Sequence, residues 1–253
     1  DFCGHIERIA DKICMESRME ESLEFIDLRT VEERLHGKNS IAHEFVDKRR
    51  GWCRSRFIPV DYDEDGRLLH VIYCIESIDE EKKRENRLLY LAQTDLMTGL
   101  CNRGSGERRI NELLQERTGG LLCLLDCDKF KAVNDTYGHS VGDKVIIAVA
   151  ESLQKSCREN DVLLHLGGDE FAIFMPVLLE QKSAEKFFDR LFENVGEIAI
   201  EEMQGKHVEI SLGACFYDGS EFVSFDQLYR NADHAMYQSK KKQGYSATIY
   251  DGQ

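Results

Sequence analysis

Asp161-Val-Leu-Leu-His-Leu-Gly-Gly-Asp-Glu-Phe-Ala-Ile-Phe-Met175 holds two apolar runs separated by Gly167-Gly-Asp-Glu170. Short apolar runs on either side of glycine-rich turn chemistry predict a β-hairpin with a four-residue turn. Upstream, Leu121-Leu-Cys-Leu-Leu125 is wholly apolar, as expected of a strand buried on both faces. Between the two, Val145, Ile146, Val149, Ala150 and Leu153 fall on one face of a helix over residues 142–157. Downstream, the pattern predicts helices at residues 184–195 and 225–241 and strands at residues 208–216 and 247–250. Helices and strands alternate, so residues 95–253 are expected to form an α/β domain on a central sheet.

The preceding sequence reads differently. Ile6, Ile9, Ala10, Ile13 and Cys14 are spaced for one helix face, and residues 30–35 suit a second short helix. The runs starting at His43, Trp52 and Leu68 are separated by Arg50-Gly51 and Asp63-Glu-Asp-Gly66, which predicts a three-stranded antiparallel meander. Residues 78–94 are charged, free of Pro and Gly, and acidic before basic, as suits a helix and its dipole. A stripe through Ile78, Leu88 and Ala92 is interrupted by Glu81 and Glu85. The expected boundaries are therefore 1–77, a linker helix over 78–94, and 95–253.

Composition narrows the function classes. The net charge of −14 argues against a general nucleic-acid binder, which presents a basic face. It leaves a nucleotide substrate open, because carboxylates that hold Mg²⁺ let the metal supply the positive charge phosphates require. The nine cysteines form no CxxC pair and read as reduced thiols, and the eight histidines have no metal-binding spacing. No apolar run approaches the roughly 18 residues of a membrane span. The first residue is Asp1 rather than Met, so the sequence is expected to be a piece of a longer chain, and a membrane anchor upstream stays open.

Asp126-Cys-Asp128 begins where the buried apolar run ends, so both carboxylates can point to one side of an extended segment. Like charges there repel unless a cation sits between them. Asp169-Glu170 adds a second acidic pair beside two glycines that let a ligand approach the backbone. Neighbouring strands bringing Asp126 and Asp169 together would make a hard oxygen site suited to Mg²⁺. Taken singly, each pair is more simply a solvated turn.

In combination the motifs have a clear likeness. Asp126-Cys-Asp-Lys-Phe-Lys-Ala-Val-Asn-Asp135, Tyr137-Gly-His139, Gly142-Asp143 and Gly167-Gly-Asp-Glu-Phe171 closely resemble the GGDEF family of diguanylate cyclases, as does Asp95-Leu-Met-Thr-Gly-Leu-Cys-Asn-Arg103. The resemblance implies a mainly antiparallel sheet flanked by helices, the nucleotidyl-cyclase or palm-like architecture. It implies condensation of two GTP into cyclic di-GMP with Mg²⁺ or Mn²⁺, in a homodimer, in the cytoplasm where GTP resides. Asp126 and Asp169 would hold metal with the Cys127 carbonyl, and Asp169 and Glu170 would be catalytic. Asn134 and Asp143 would bond guanine, Lys131 and His139 would support the base and phosphate ends of the substrate, Gly167 and Gly168 would admit it, and Lys240 would reach the terminal phosphates. Arg158-Glu-Asn-Asp161 matches the family's RxxD product-inhibition site. A non-catalytic receptor for GTP or cyclic di-GMP is the alternative.

Two departures stand out. His165 replaces the family's usual Arg, so an interaction anchoring the hairpin is expected to weaken. The usual Gly-Arg-Asn after Lys240 is missing, leaving Lys241 or Lys242 as substitutes at phosphate. The helices-then-meander order of residues 1–77 resembles the C-terminal part of an α+β PAS sensor domain. That likeness implies a pocket left incomplete at Asp1, and an adaptor without a ligand is equally compatible.

Overall fold

The computed structural model describes residues 19–242 and 244–252, so the helix face expected through Ile6 to Cys14 lies outside the described residues. The chain forms two compact units, Asp1–Leu89 and Tyr90–Gln253. In the first, helices α1 (Met19–Ile26) and α2 (Leu28–Leu35) precede strands β1 (Ile41–Asp47), β2 (Gly51–Tyr62) and β3 (Leu68–Ser77). The side chain of Asp27 accepts from the Arg29 amide and so starts α2. The strands pair antiparallel in the order β1-β2-β3, with Phe57 of β2 buried against Val31 and Leu35. Helix α3 (Asp79–Gln93) follows and buries none of its residues, which accounts for its weak apolar stripe.

The second unit continues with β4 (Cys101–Asn102), α4 (Arg103–Gln115), β5 (Gly120–Cys127), α5 (Phe130–Tyr137), α6 (His139–Ser156), β6 (Val162–Gly167) and β7 (Glu170–Pro176). It ends with α7 (Gln181–Gly196), β8 (Ile210–Tyr217), α8 (Phe225–Ser239) and β9 (Ser246–Ile249). The sheet order is β4-β6-β7-β5-β8-β9, with only the outer pairs β4/β6 and β8/β9 parallel. This is the mixed α/β architecture with a central sheet expected from the pattern.

Alternation along β5 explains its unbroken apolar run. Leu121, Cys123 and Leu125 enter a core with Val145, Val149 and Leu153 of α6 and Phe187 and Leu191 of α7. Leu122 and Leu124 enter the opposite core with Ile110 and Leu114 of α4 and Ala232 and Met236 of α8. A strand sandwiched in this way has no solvent face and therefore no polar alternation. Helix α6 starts at His139, earlier than the periodicity indicates, because its first turn is polar. Among the described residues no helix is long and apolar enough to cross a membrane.

One strained residue follows β7. Val177 has φ of 65° and is 78% exposed, a left-handed conformation that a β-branched side chain adopts at a cost. Val177→Asn is expected to stabilise this unit by about 1 kcal/mol and raise its Tm by about 2–4 °C, measured by thermal unfolding.

Candidate active site

The C-terminal end of β5 collects the acidic residues. Asp126 pairs in register with Glu170 on β7 and with Ser211 on β8. The hairpin turn between β6 and β7 is tighter than four residues. Gly167 pairs with Glu170, leaving Gly168 and Asp169 as the turn, and both glycines have positive φ, 126° and 63°. The Cys127 amide donates to the Asp169 carbonyl at 3.3 Å, which fixes the turn beside the strand end. Asp128 lies on the same side as Asp126, where it accepts at 2.8 Å from Oγ of Ser211, the register partner of Asp126.

Lys240 comes to this edge directly, its Nζ lying 2.7 Å from Asp126 Oδ2. The end of α8 is held there by buried Ser239, whose Oγ donates to the Leu212 carbonyl at 2.8 Å, while Ser246 Oγ donates to the Ser239 carbonyl at 2.8 Å. Lys241 and Lys242, the expected substitutes for arginine, turn elsewhere. Lys241 lies over the Tyr237 ring and Lys242 donates to Thr248 Oγ1 at 3.4 Å.

Negative charge exceeds positive charge here. Burial, and then the charge of Asp126, hold Asp169 above its ordinary carboxyl value. Burial, then Asp126 and Asp169, do the same to Glu170. Among the described residues no three Asp, Glu, His or Cys side chains form a ready-made metal cage. A Mg²⁺-type ion needs only one or two carboxylates and fills its shell with water and substrate phosphates, so crowded oxygen donors fit it. Cys127 contributes no thiolate: its side chain is buried in the core and burial pushes its thiol far up. Only its backbone reaches the edge.

A second set of expected residues lies on α5 and α6. Lys131, His139 and Asp143 are exposed, and their side chains make no hydrogen bond or ion pair with the described residues. Asn134 Oδ1 is buried with no hydrogen-bond partner. Such an orphan acceptor is costly unless a ligand donor meets it. Gly142 fits against it, since a Cβ at that position would stand 2.0 Å from Asn134 Oδ1. Gly142→Ala is therefore expected to displace Asn134 and raise KM for GTP roughly tenfold, the worth of one such hydrogen bond, with kcat little changed in steady-state assays.

Arg158 and Asp161 stand apart from these groups. Asp161 precedes β6, at the far end from the Gly168 turn, roughly 20 Å along the strand. Its carboxylate accepts from the Arg158 amide at 2.7 Å. The two residues line a cleft of about 270 Å³ with Lys186, Arg190 and Phe187. Arg190 was not evident from sequence, because its α7 position carries no motif. It is fixed by donating to the Ser156 carbonyl at 2.7 Å and by lying over the Phe187 ring.

The His165 imidazole lies against the hairpin turn whose anchorage is expected to weaken. Its Nε2 lies 3.1 Å from the Gly168 carbonyl oxygen and its Nδ1 3.2 Å from Asp95 Oδ1, with the ring packed on Phe171.

Comparison with known proteins agrees with this arrangement. The chain is 28% identical over 212 residues to diguanylate cyclase DgcM of Escherichia coli K12, covering 81% of this chain and 49% of DgcM. It therefore spans about half the length of that relative. The GGDEF domain of PA1120 (TpbB or YfiN) from Pseudomonas aeruginosa superposes with a TM-score of 0.57 at 28% identity, covering 62% of this chain and 94% of that one. The GGDEF domain of DgcB from Caulobacter crescentus, solved in complex with c-di-GMP, gives 0.56 at 27%, covering 64% and 97%. Residues 92–246 match the family model described as diguanylate cyclase, GGDEF domain, and with the acidic turn and strand end that carry its signature, this chain belongs to the GGDEF family.

Proposed function

We propose that this chain is a diguanylate cyclase that joins two GTP molecules into cyclic di-GMP and releases two pyrophosphates. The observation that carries the reading is the register of Asp126 against Glu170, which sets two carboxylates and the Asp169 turn at one strand end beside Lys240. Asp126, Asp169 and the Cys127 carbonyl hold a divalent cation, Mg²⁺ or Mn²⁺. Bound there, that ion supplies charge neutralisation at the α-phosphate and activation of the attacking 3′-hydroxyl.

The protein's own groups do the rest. Asn134 Oδ1 accepts from the guanine edge, and the Asp143 carboxylate accepts from N1–H and the exocyclic amine, a pair of donors adenine does not offer. Lys131 and His139 support the phosphate and base ends, and Lys240 moves from Asp126 to the terminal phosphates. The positive-φ glycines Gly167 and Gly168 leave the turn without side chains, so phosphate oxygens approach its backbone. Glu170 assists at the metal or phosphate side. Asp169 is the nearest group to take the hydroxyl proton. Because one domain presents one GTP, the reaction needs two copies facing each other, with α3 setting their geometry. The GTP substrate places the domain in the cytoplasm.

The Arg158 cleft favours product binding, since Arg158, Lys186 and Arg190 offer cationic donors for phosphate beside the Asp161 acceptor. This cleft also supports the second reading, a receptor that binds cyclic di-GMP without making it. We further propose that the first unit is a PAS-like sensor. The test is incubation of the chain with GTP and Mg²⁺ and chromatographic separation of nucleotides. Cyclic di-GMP is expected; its absence at high protein concentration, with binding of cyclic di-GMP lost in Arg158→Ala, would support the receptor instead.

A further inference from the structure

Helix α3 buries none of its residues, so apolar packing does not hold its last turn. The last carbonyls of a helix have no partner within it and must find one outside. At the end of α3 two of them are met by side chains from the start of the next helix. Asn102 Nδ2 donates to the Ala92 carbonyl at 2.9 Å, and Ser105 Oγ donates to the Gln93 carbonyl. The same Asn102 side chain caps α4, its Oδ1 accepting from the Ser105 amide at 3.0 Å. We propose that Asn102 is a positioning residue, a two-ended clasp that holds the last turn of α3 to α4 and to the strand leading to the Asp169 turn.

The side chain suits a contact at each end. A carboxamide carries an acceptor and a donor on one planar group, and one orientation serves both contacts, oxygen to the Ser105 amide and nitrogen to the Ala92 carbonyl. Aspartate would accept at both atoms and set an oxygen against the Ala92 carbonyl. The backbone beside the clasp is tied as well. Thr94 bridges Cys101, the Thr94 amide donates to the Tyr90 carbonyl at 2.9 Å, and the Asp95 amide donates to the Leu100 carbonyl at 2.9 Å. From the clasp the path to the strand ends is short. Asn102 pairs in parallel with His165 on β6, and Gly167, two residues on, opens the turn that carries Asp169. Helix α4 lies close on the same strand, because a Cβ on Gly106 would stand 2.6 Å from Leu164 Cβ. With the Asn102 donor gone, the last turn of α3 frays and is no longer referred to that strand.

The effect on turnover rests on the cyclase reading, in which α3 sets how two copies face each other, whereas the clasp itself does not. The experiment compares amide hydrogen exchange, thermal unfolding and GTP turnover in whole chains of the wild type, Asn102→Asp and Asn102→Ala. Asn102→Asp keeps the cap, since a carboxylate is favoured at a helix N-terminus, and removes only the donor. It is expected to speed exchange at the Thr94 amide roughly fivefold, the worth of one ordinary hydrogen bond, with exchange at Ser105 unchanged and Tm unchanged or raised. Its kcat is expected to fall by a similar factor with KM steady, because no group that meets the nucleotide has changed. Asn102→Ala, which loses the cap as well, is expected to add a lower Tm and faster exchange at Ser105. Unchanged exchange at Thr94 in Asn102→Asp overturns the proposal. So does a wild-type kcat beside faster exchange, which would make the contact structural alone. If the wild type makes no cyclic di-GMP, the cyclase reading fails and the exchange result still decides the clasp.

Discussion

Asp169→Asn is expected to lower cyclic di-GMP formation by roughly a thousandfold while leaving Tm unchanged or raised. Asparagine keeps the size of the side chain and the backbone carbonyl that accepts from the Cys127 amide, so the turn stays in place. What is lost is a charged hard-oxygen donor at the strand end. The stability effect has the opposite sign. A carboxyl held above its ordinary value by burial and by Asp126 is ionised at a cost in the folded chain, and a neutral amide avoids that cost. Function is served here by a group that stability would remove, a common trade at active sites. The check is product formation beside thermal unfolding in metal-free buffer. A parallel fall in activity and Tm would mean that Asp169 holds the hairpin together instead of serving the chemistry.

The parts of this arrangement legible in sequence were those written in short-range pattern. The apolar run of β5 announced a doubly covered strand, and two glycines between apolar runs announced the β6–β7 hairpin. Their antiparallel pairing then brought Asp126 opposite Glu170. The turn proved shorter than expected because Gly167 and Glu170 are themselves paired, a matter of register that composition does not encode.

Contacts between distant segments were not legible. The approach of Gly142 to Asn134 depends on how α6 crosses α5. Lys240 reaches Asp126 because Ser239 is tied to β8 and β9, and serine gives no sign in sequence of which carbonyl it will bond. Arg190 joins Arg158 through the packing of α7 on α6, whose Ser156 carbonyl it bonds. The substitution at 165 read as a weakened anchor because a motif compares residue types, and which atoms the new side chain reaches depends on the packing around it. Histidine is shorter than arginine, yet here its two nitrogens span Asp95 and Gly168.

Gly213→Ala is expected to destabilise the second unit by about 3 kcal/mol or more. Gly213 sits inside β8, paired with Leu124 on β5 and Thr248 on β9. A Cβ there would stand 2.1 Å from the Ala232 carbonyl oxygen, 2.2 Å from the Met236 nitrogen and 2.6 Å from the Met236 Cα. These are backbone atoms of α8, so no side-chain rotation relieves the clash and the helix must lift off the sheet. Lifting it opens the core around Ala232 and Met236 and strains the bond from Ser239 Oγ to the Leu212 carbonyl. Lys240 follows that serine, so loss of turnover should accompany loss of stability, unlike the separation expected at Asp169. Urea unfolding of Gly213→Ala should give a lower midpoint with an unchanged slope, and Tm should fall by roughly 6–12 °C for a unit of this size. An unchanged midpoint would mean that α8 does not pack on β8 this closely, and the placement of Lys240 against Asp126 would lose its structural cause.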